Sequence, residues 1–149
     1  MREATAIIGT LSDMADHAKR VLNREQRRNL DIEIGFLEGL LRRDPKYIDA
    51  LQILGDDYTR RGRFQDGLRV DEQLSELRPA DPMVHYNLAC SYALTDRHED
   101  AFAALNLALD RGYRDFRWLG KDPDLSTFRR HPLYRRLRAR IRAMKVKID

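Results

Sequence analysis

Two residues with nucleophile and base chemistry, His85 and Cys90, stand five apart in the stretch PMVHYNLACSYAL. On a helix that spacing sets them about 140° apart round the axis, a poor arrangement for a metal site or a nucleophile–base pair. His17, His98 and His131 have no companion at metal-ligand spacing, and His131 before Pro132 reads as a residue that starts a helix. Asp122 and Asp124 form a paired-carboxylate motif, but each also suits a helix N-terminus, where the dipole favours an acid. The chain has no glycine-rich phosphate loop, no GxSxG and no HExxH. The sequence therefore predicts no enzyme, no metal site and no cofactor. Its polar residues point instead to recognition.

The elements that position these residues read as helices. No alternating β-branched run or Asn-Gly hairpin turn occurs. Asp44-Pro45, Asp81-Pro82 and Asp122-Pro123 each put a capping acid before a proline, and Asp96 with Glu99 has the form of a capping box. Gly112 sits where a preceding helix would end. The punctuation and the helical period predict helices at about 11–27, 30–43, 46–60, 64–77, 82–94, 97–110 and 133–146, with a short turn near 123–129. In the first, Ile7, Leu11, Met14, Ala18, Val21 and Leu22 share a face. In the second, Leu30, Ile34, Leu37 and Leu41 share one face and Ile32 and Phe36 another, so this helix is expected to lie between two neighbours.

A chain of 149 residues, 42% apolar and 35% charged, has the size and balance of one folded domain. No apolar run reaches the roughly 18 residues that a membrane span requires. The N-terminus lacks the apolar core of a secretory signal, and Cys90, the single cysteine, excludes an internal disulfide. A cytoplasmic location is the expectation. The net charge of +4 is uneven: residues 129–149 hold nine Lys or Arg and one acid, so the other 128 residues sum to −4.

LGDDYTRRGRFQDGL at 54–68 and LACSYALTDRHEDAF at 88–102 share few letters but the same order of sizes, 34 positions apart. Gly55 lies over Ala89, Tyr58 over Tyr92, Gly67 over Ala101 and Leu68 over Phe102. Small residues recur where paired helices approach closely and large ones where they fill the gap, which describes stacked helical hairpins.

This pattern resembles the tetratricopeptide repeat (TPR) family, whose form is W-x2-L-G-x2-Y, then A-x3-F, then P. Residues 48–81 supply Leu51, Leu54, Gly55, Tyr58, Gly67 and Pro79. Residues 82–115 supply His85, Leu88, Ala89, Tyr92, Ala101 and Leu105. Leu51 and His85 stand for the tryptophan, Asp71 for the first phenylalanine and Tyr113 for the second proline. A worn copy is expected at 14–47, and DPDLSTFRRHPLY with the helix after it resembles a closing segment. The resemblance implies an all-α, TPR-like right-handed solenoid of antiparallel helical hairpins with a C-terminal capping helix. It forms a single domain over 1–149, with 116–149 the turn and basic cap.

The same resemblance implies a concave groove. Its positions are Asp49, Gln52, Ile53, Asp56, Thr59 and Arg60 in one copy, and Met83, Tyr86, Asn87, Cys90, Ala93 and Leu94 in the next. Asn87 matches an asparagine with which family members bond a peptide backbone, and Tyr86 beside it is expected to offer an aromatic platform. Gln52 and Asp56 replace the residues of a carboxylate clamp, and Asp56 would repel a carboxylate. The implied role is a protein-interaction module or adaptor that binds a peptide or partner helix. An alternative is a TPR chaperone or assembly factor, a possible homodimer through residues 1–28.

In the C-terminal helix, Leu133, Leu137, Ile141, Met144 and Ile148 form a stripe that suits a cap on the stack. Arg135, Arg138, Arg142 and Lys145 lie opposite, flanked by Arg136, Arg140 and Lys147. That basic face gives a third expectation, contact with nucleic acid or an anionic membrane, though no aromatic interleaving or nucleic-acid motif accompanies it.

Overall fold

The computed structural model describes residues 21–148, and among them the chain is helical and has no strand. The principal helices are α1 (Arg24–Arg43), α2 (Ile48–Arg61), α3 (Phe64–Leu77), α4 (Pro82–Leu94) and α5 (His98–Asp110). A closing segment follows: α6 (Phe116–Leu119), a 3-10 turn (Pro123–Leu125), α7 (Ser126–Arg129) and the long α8 (Leu133–Ile148). Each of α1 to α5 packs against the next, and α8 packs on α5. No helix among the described residues is long and apolar enough to cross a membrane.

The first expected boundary is wrong. The structure has no break at 28–29, because α1 runs unbroken from Arg24. Asn23 starts it with a reciprocal cap: its Oδ1 accepts from the Gln26 amide at 2.8 Å, and its own amide donates to Gln26 Oε1 at 2.9 Å. Most of the expected 11–27 helix, and with it most of the 1–28 dimer segment, lies outside the described residues. Asp44-Pro45 is also not a helix start. The Asp44 amide donates to the Leu40 carbonyl at 3.0 Å and closes α1, and α2 begins only at Ile48. Asp81 and Asp122 do cap, accepting from the amides of Met83 at 2.9 Å and Asp124 at 3.0 Å.

The 34-residue recurrence extends to the hydrogen bonds. Gly62 (φ +86°) and Asp96 (φ +58°) both turn the chain in the left-handed region. After them, the Arg63 amide donates to the Tyr58 carbonyl at 2.8 Å and the Arg97 amide to the Tyr92 carbonyl at 2.9 Å. Arg63 then lies 4.6 Å over the Tyr58 ring and bonds Asp66 at 2.8 Å, while Arg97 lies 4.7 Å over Tyr92 and bonds Asp100 at 2.9 Å. Asp96 is thus a turn residue, one of the few types that tolerate that backbone. The expected Asp96–Glu99 capping box does not form, since Arg97 is the N-cap.

The small residues sit at tight crossings. A Cβ on Gly55 would come within 3.1 Å of Asp71 Oδ1 and 3.3 Å of Val70 Cγ1, and one on Gly67 within 3.1 Å of Thr59 Oγ1. Ala89 and Ala101 are fully buried. One core lies between α1 and α4, around Ile34, Leu37, Leu51, Leu54, Tyr58 and Leu74. A second gathers Leu105, Leu109, Leu125, Phe128, Leu137 and Ile141 beneath the closing segment. Leu137 and Ile141 hold α8 there, and Arg140 ties it to α5 through the Asn106 carbonyl at 3.0 Å, Asn106 Oδ1 at 2.9 Å and Asp110.

α1 departs from expectation in one more respect. Leu30, Ile34 and Leu37 are buried, but Ile32 and Phe36 are 61% and 66% exposed. The second apolar face of this helix is open.

Candidate functional site

Three elements enclose a cleft of about 320 Å³. α2 presents Gln52, Asp56 and Thr59 to it, and α4 presents Met83, Asn87, Cys90 and Leu94. Both sets follow the i, i+4, i+7 rhythm of one helical face. The closing segment supplies Trp118, Asp122 and Asp124, and α3 contributes Asp71 from behind.

Six of the seven sequence-predicted groove residues line this cleft: Gln52, Asp56, Met83, Tyr86, Asn87 and Cys90. Arg60 does not. It lines an adjoining hollow of about 460 Å³ with Val21, Leu22 and Phe64, its guanidinium 3.9 Å from Asp57 Oδ1. Gln52, Asp56, Met83 and Asn87 are exposed.

Tyr86 corrects the expected platform. It is 2% exposed, its hydroxyl donates to Asp122 Oδ2 at 2.6 Å, and its ring stacks on Tyr113 at 4.4 Å. Cys90 is buried too, with Sγ 3.7 Å from the same Asp122 oxygen. Burial first, and then the Asp122 charge, push the thiol well up, so a reactive thiolate is disfavoured. Burial likewise raises Tyr86. The chain's own closing segment therefore occupies part of the surface that the resemblance leaves open. Asp122 is the pin, since it also caps the 3-10 turn, and Arg129 donates to its carbonyl at 2.7 Å.

What remains is acidic. Asp56, Asp71, Asp122 and Asp124 line the cleft, and among the described residues no Lys or Arg does. Asp71 is 7% exposed and accepts from the Ser91 hydroxyl. Burial pushes its carboxyl up to about 6, with the Ser91 bond working against that rise. Trp118 stands 42% exposed at the cleft, with Lys121 Nζ 5.9 Å from its ring. Sequence reasoning missed Trp118 because α6 is a single turn. Its signal is Asp115, whose Oδ1 accepts from the Trp118 amide at 3.0 Å.

The residues singled out for chemistry fall apart in space. His85 is buried with Nε2 2.7 Å from the Pro79 carbonyl oxygen. His98 and His131 stack at 4.9 Å, and His131 Nδ1 accepts from the Leu133 amide at the start of α8. Among the described residues, no group of three or more His, Cys, Asp or Glu is placed to hold a metal ion.

The basic tail is partly engaged. Arg135 and Arg142 are exposed, whereas Arg138 lies 5.9 Å over Tyr134 and Lys145 Nζ 5.5 Å over Phe116. Arg136 covers Phe102 at 5.2 Å, and Arg140 is bound to α5.

Fold and site together define an all-helical chain of adjacent packed helices with an acidic cleft. Over 79 residues, or 51% of its length, the chain is 30% identical to a chloroplastic protein of Arabidopsis thaliana. Over 90 residues, or 59%, it is 31% identical to the peroxisomal targeting signal receptor of Komagataella phaffii and equally to that of Komagataella pastoris. The matched stretch spans only 24% of the chloroplastic protein and 16% of each receptor. No family model matches the chain, and no solved structure does.

Proposed function

We propose that this chain is a TPR-like protein-interaction module whose cleft between α2 and α4 takes an extended peptide carrying a cationic side chain. The observation that carries the reading is the convergence of Gln52, Asp56, Met83 and Asn87 as exposed residues on one cleft lined, among the described residues, by four carboxylates and no Lys or Arg. Asn87 is suited to bond a peptide backbone, because its amide both donates and accepts. Asp56 and Asp124 attract a Lys or Arg head group, and Trp118 gives that cation an aromatic face.

In this reading the helices form one TPR-like solenoid domain, with 48–81 and 82–115 as its repeats and α8 as its cap. The role is that of a non-enzymatic adaptor in a reducing compartment such as the cytoplasm. Similarity to a protein named as a signal receptor agrees with recognition as the role. Nucleic-acid or membrane contact through α8 is the weaker reading, because Arg136, Arg138, Arg140 and Lys145 are engaged by the protein itself.

The test is a peptide-display selection on the full chain, followed by calorimetric titration of the selected peptides. Binders rich in Lys or Arg are expected, weakened about tenfold or more by Asn87→Ala with an unchanged melting temperature. Acidic or purely apolar binders, or affinity indifferent to Asn87→Ala, would refute the reading.

A further inference from the structure

α1 has an outward face that nothing in the proposed cleft uses. At about 100° per residue, Ile32 and Phe36 lie opposite the buried Leu30, Ile34 and Leu37. Both are more than half exposed. Gly35 and Gly39 share their stripe, and a Cβ added at Gly35 would meet nothing within 4 Å. The face therefore combines two large apolar knobs with two places where another backbone can approach closely. Its ends carry opposite charge: exposed Glu25 in the first turn and exposed Arg43 in the last.

That pattern complements itself. Two α1 helices laid antiparallel about a two-fold axis at position 34 bring together residues whose numbers sum to 68. Ile32 then meets the second copy's Phe36, and Glu25 meets the second copy's Arg43, each contact occurring twice. A parallel pairing would instead set Arg43 against Arg43 and align the helix dipoles. Antiparallel pairing opposes the dipoles and joins unlike charges. We propose that this face docks a second copy of the chain, forming a two-fold dimer through α1. The interface uses no cleft residue, so such a dimer presents two clefts and binds a partner with repeated motifs by avidity.

Light scattering on the full chain at increasing concentration tests this. The wild type is expected to reach twice its 17.5 kDa chain mass. Phe36→Glu places a charge in the apolar centre and is expected to raise the dimer dissociation constant by at least about thirtyfold. Glu25→Arg should weaken it about tenfold, and Glu25→Arg with Arg43→Glu should restore it, since each charge would again face its opposite. Circular dichroism verifies that every variant keeps its helical content. A wild type that stays monomeric throughout, a Phe36→Glu chain that still dimerises, or a double variant no better than the single one would each overturn the proposal. Peptide affinity of the cleft, measured on the monomeric Phe36→Glu chain, is a separate readout that leaves the two hypotheses distinguishable.

Discussion

Asp57 is 2% exposed and its Oδ2 has no hydrogen-bond partner among the described residues. Burial, then the Glu33 carboxyl of α1, push its own carboxyl up to about 7 from an ordinary value of 3.8. A carboxyl raised on folding is favourable when protonated, so its contribution is full below about pH 4 and is lost as pH rises through 7. Asp57→Asn should therefore raise the melting temperature at pH 8, with the gain shrinking towards zero by pH 4. Parallel melts of both chains across that range check it, and a gain independent of pH would contradict the assignment. Asp122 predicts the opposite outcome. Replacing it with Ala strands the Tyr86 hydroxyl, the Cys90 thiol and the Asp124 amide, and is expected to cost about 1–3 kcal/mol in urea unfolding. Its capping role is legible in Asp122-Pro123. Its bonds to Tyr86 and Cys90 are not, because they join segments more than 30 residues apart.

Helix by helix, what the sequence discloses is volume. Gly55, Gly67, Ala89 and Ala101 repeat because backbones approach closely at those places, and no larger side chain fits without displacement. Gly67→Val is expected to destabilise by about 1–3 kcal/mol through overpacking against Thr59, measured as a lower urea midpoint with an unchanged slope. Stability equal to wild type would contradict the close crossing. The helix limits were harder to read where capping competes with periodicity. The Asn23–Gln26 pair fixes the start of α1, while the apolar pattern alone placed a break four to six residues later. The paired Arg63–Asp66 and Arg97–Asp100 turns escaped notice because a cation over a ring leaves no apolar period.

As a molecule, the chain combines a cleft bordered by its own closing segment with an open apolar face on its first described helix. The cleft's membership is largely legible, since Gln52, Asp56, Met83 and Asn87 follow helical spacing. Its closure by Tyr86, Asp122 and Trp118 is not, because it depends on how the segment after Tyr113 returns to α4. Salt dependence follows from the carboxylates: a cationic peptide should bind several-fold more weakly at about 0.5 M than at about 0.05 M salt, and salt-insensitive affinity would remove the electrostatic part of the account. The most direct test of the central claim is a nuclear magnetic resonance titration of the full chain with a lysine- or arginine-containing peptide from the selection. The account predicts that the Asn87 side-chain amide and the Trp118 indole shift together and saturate at one affinity. Shifts confined to α8, or to α1 away from the cleft, would contradict it.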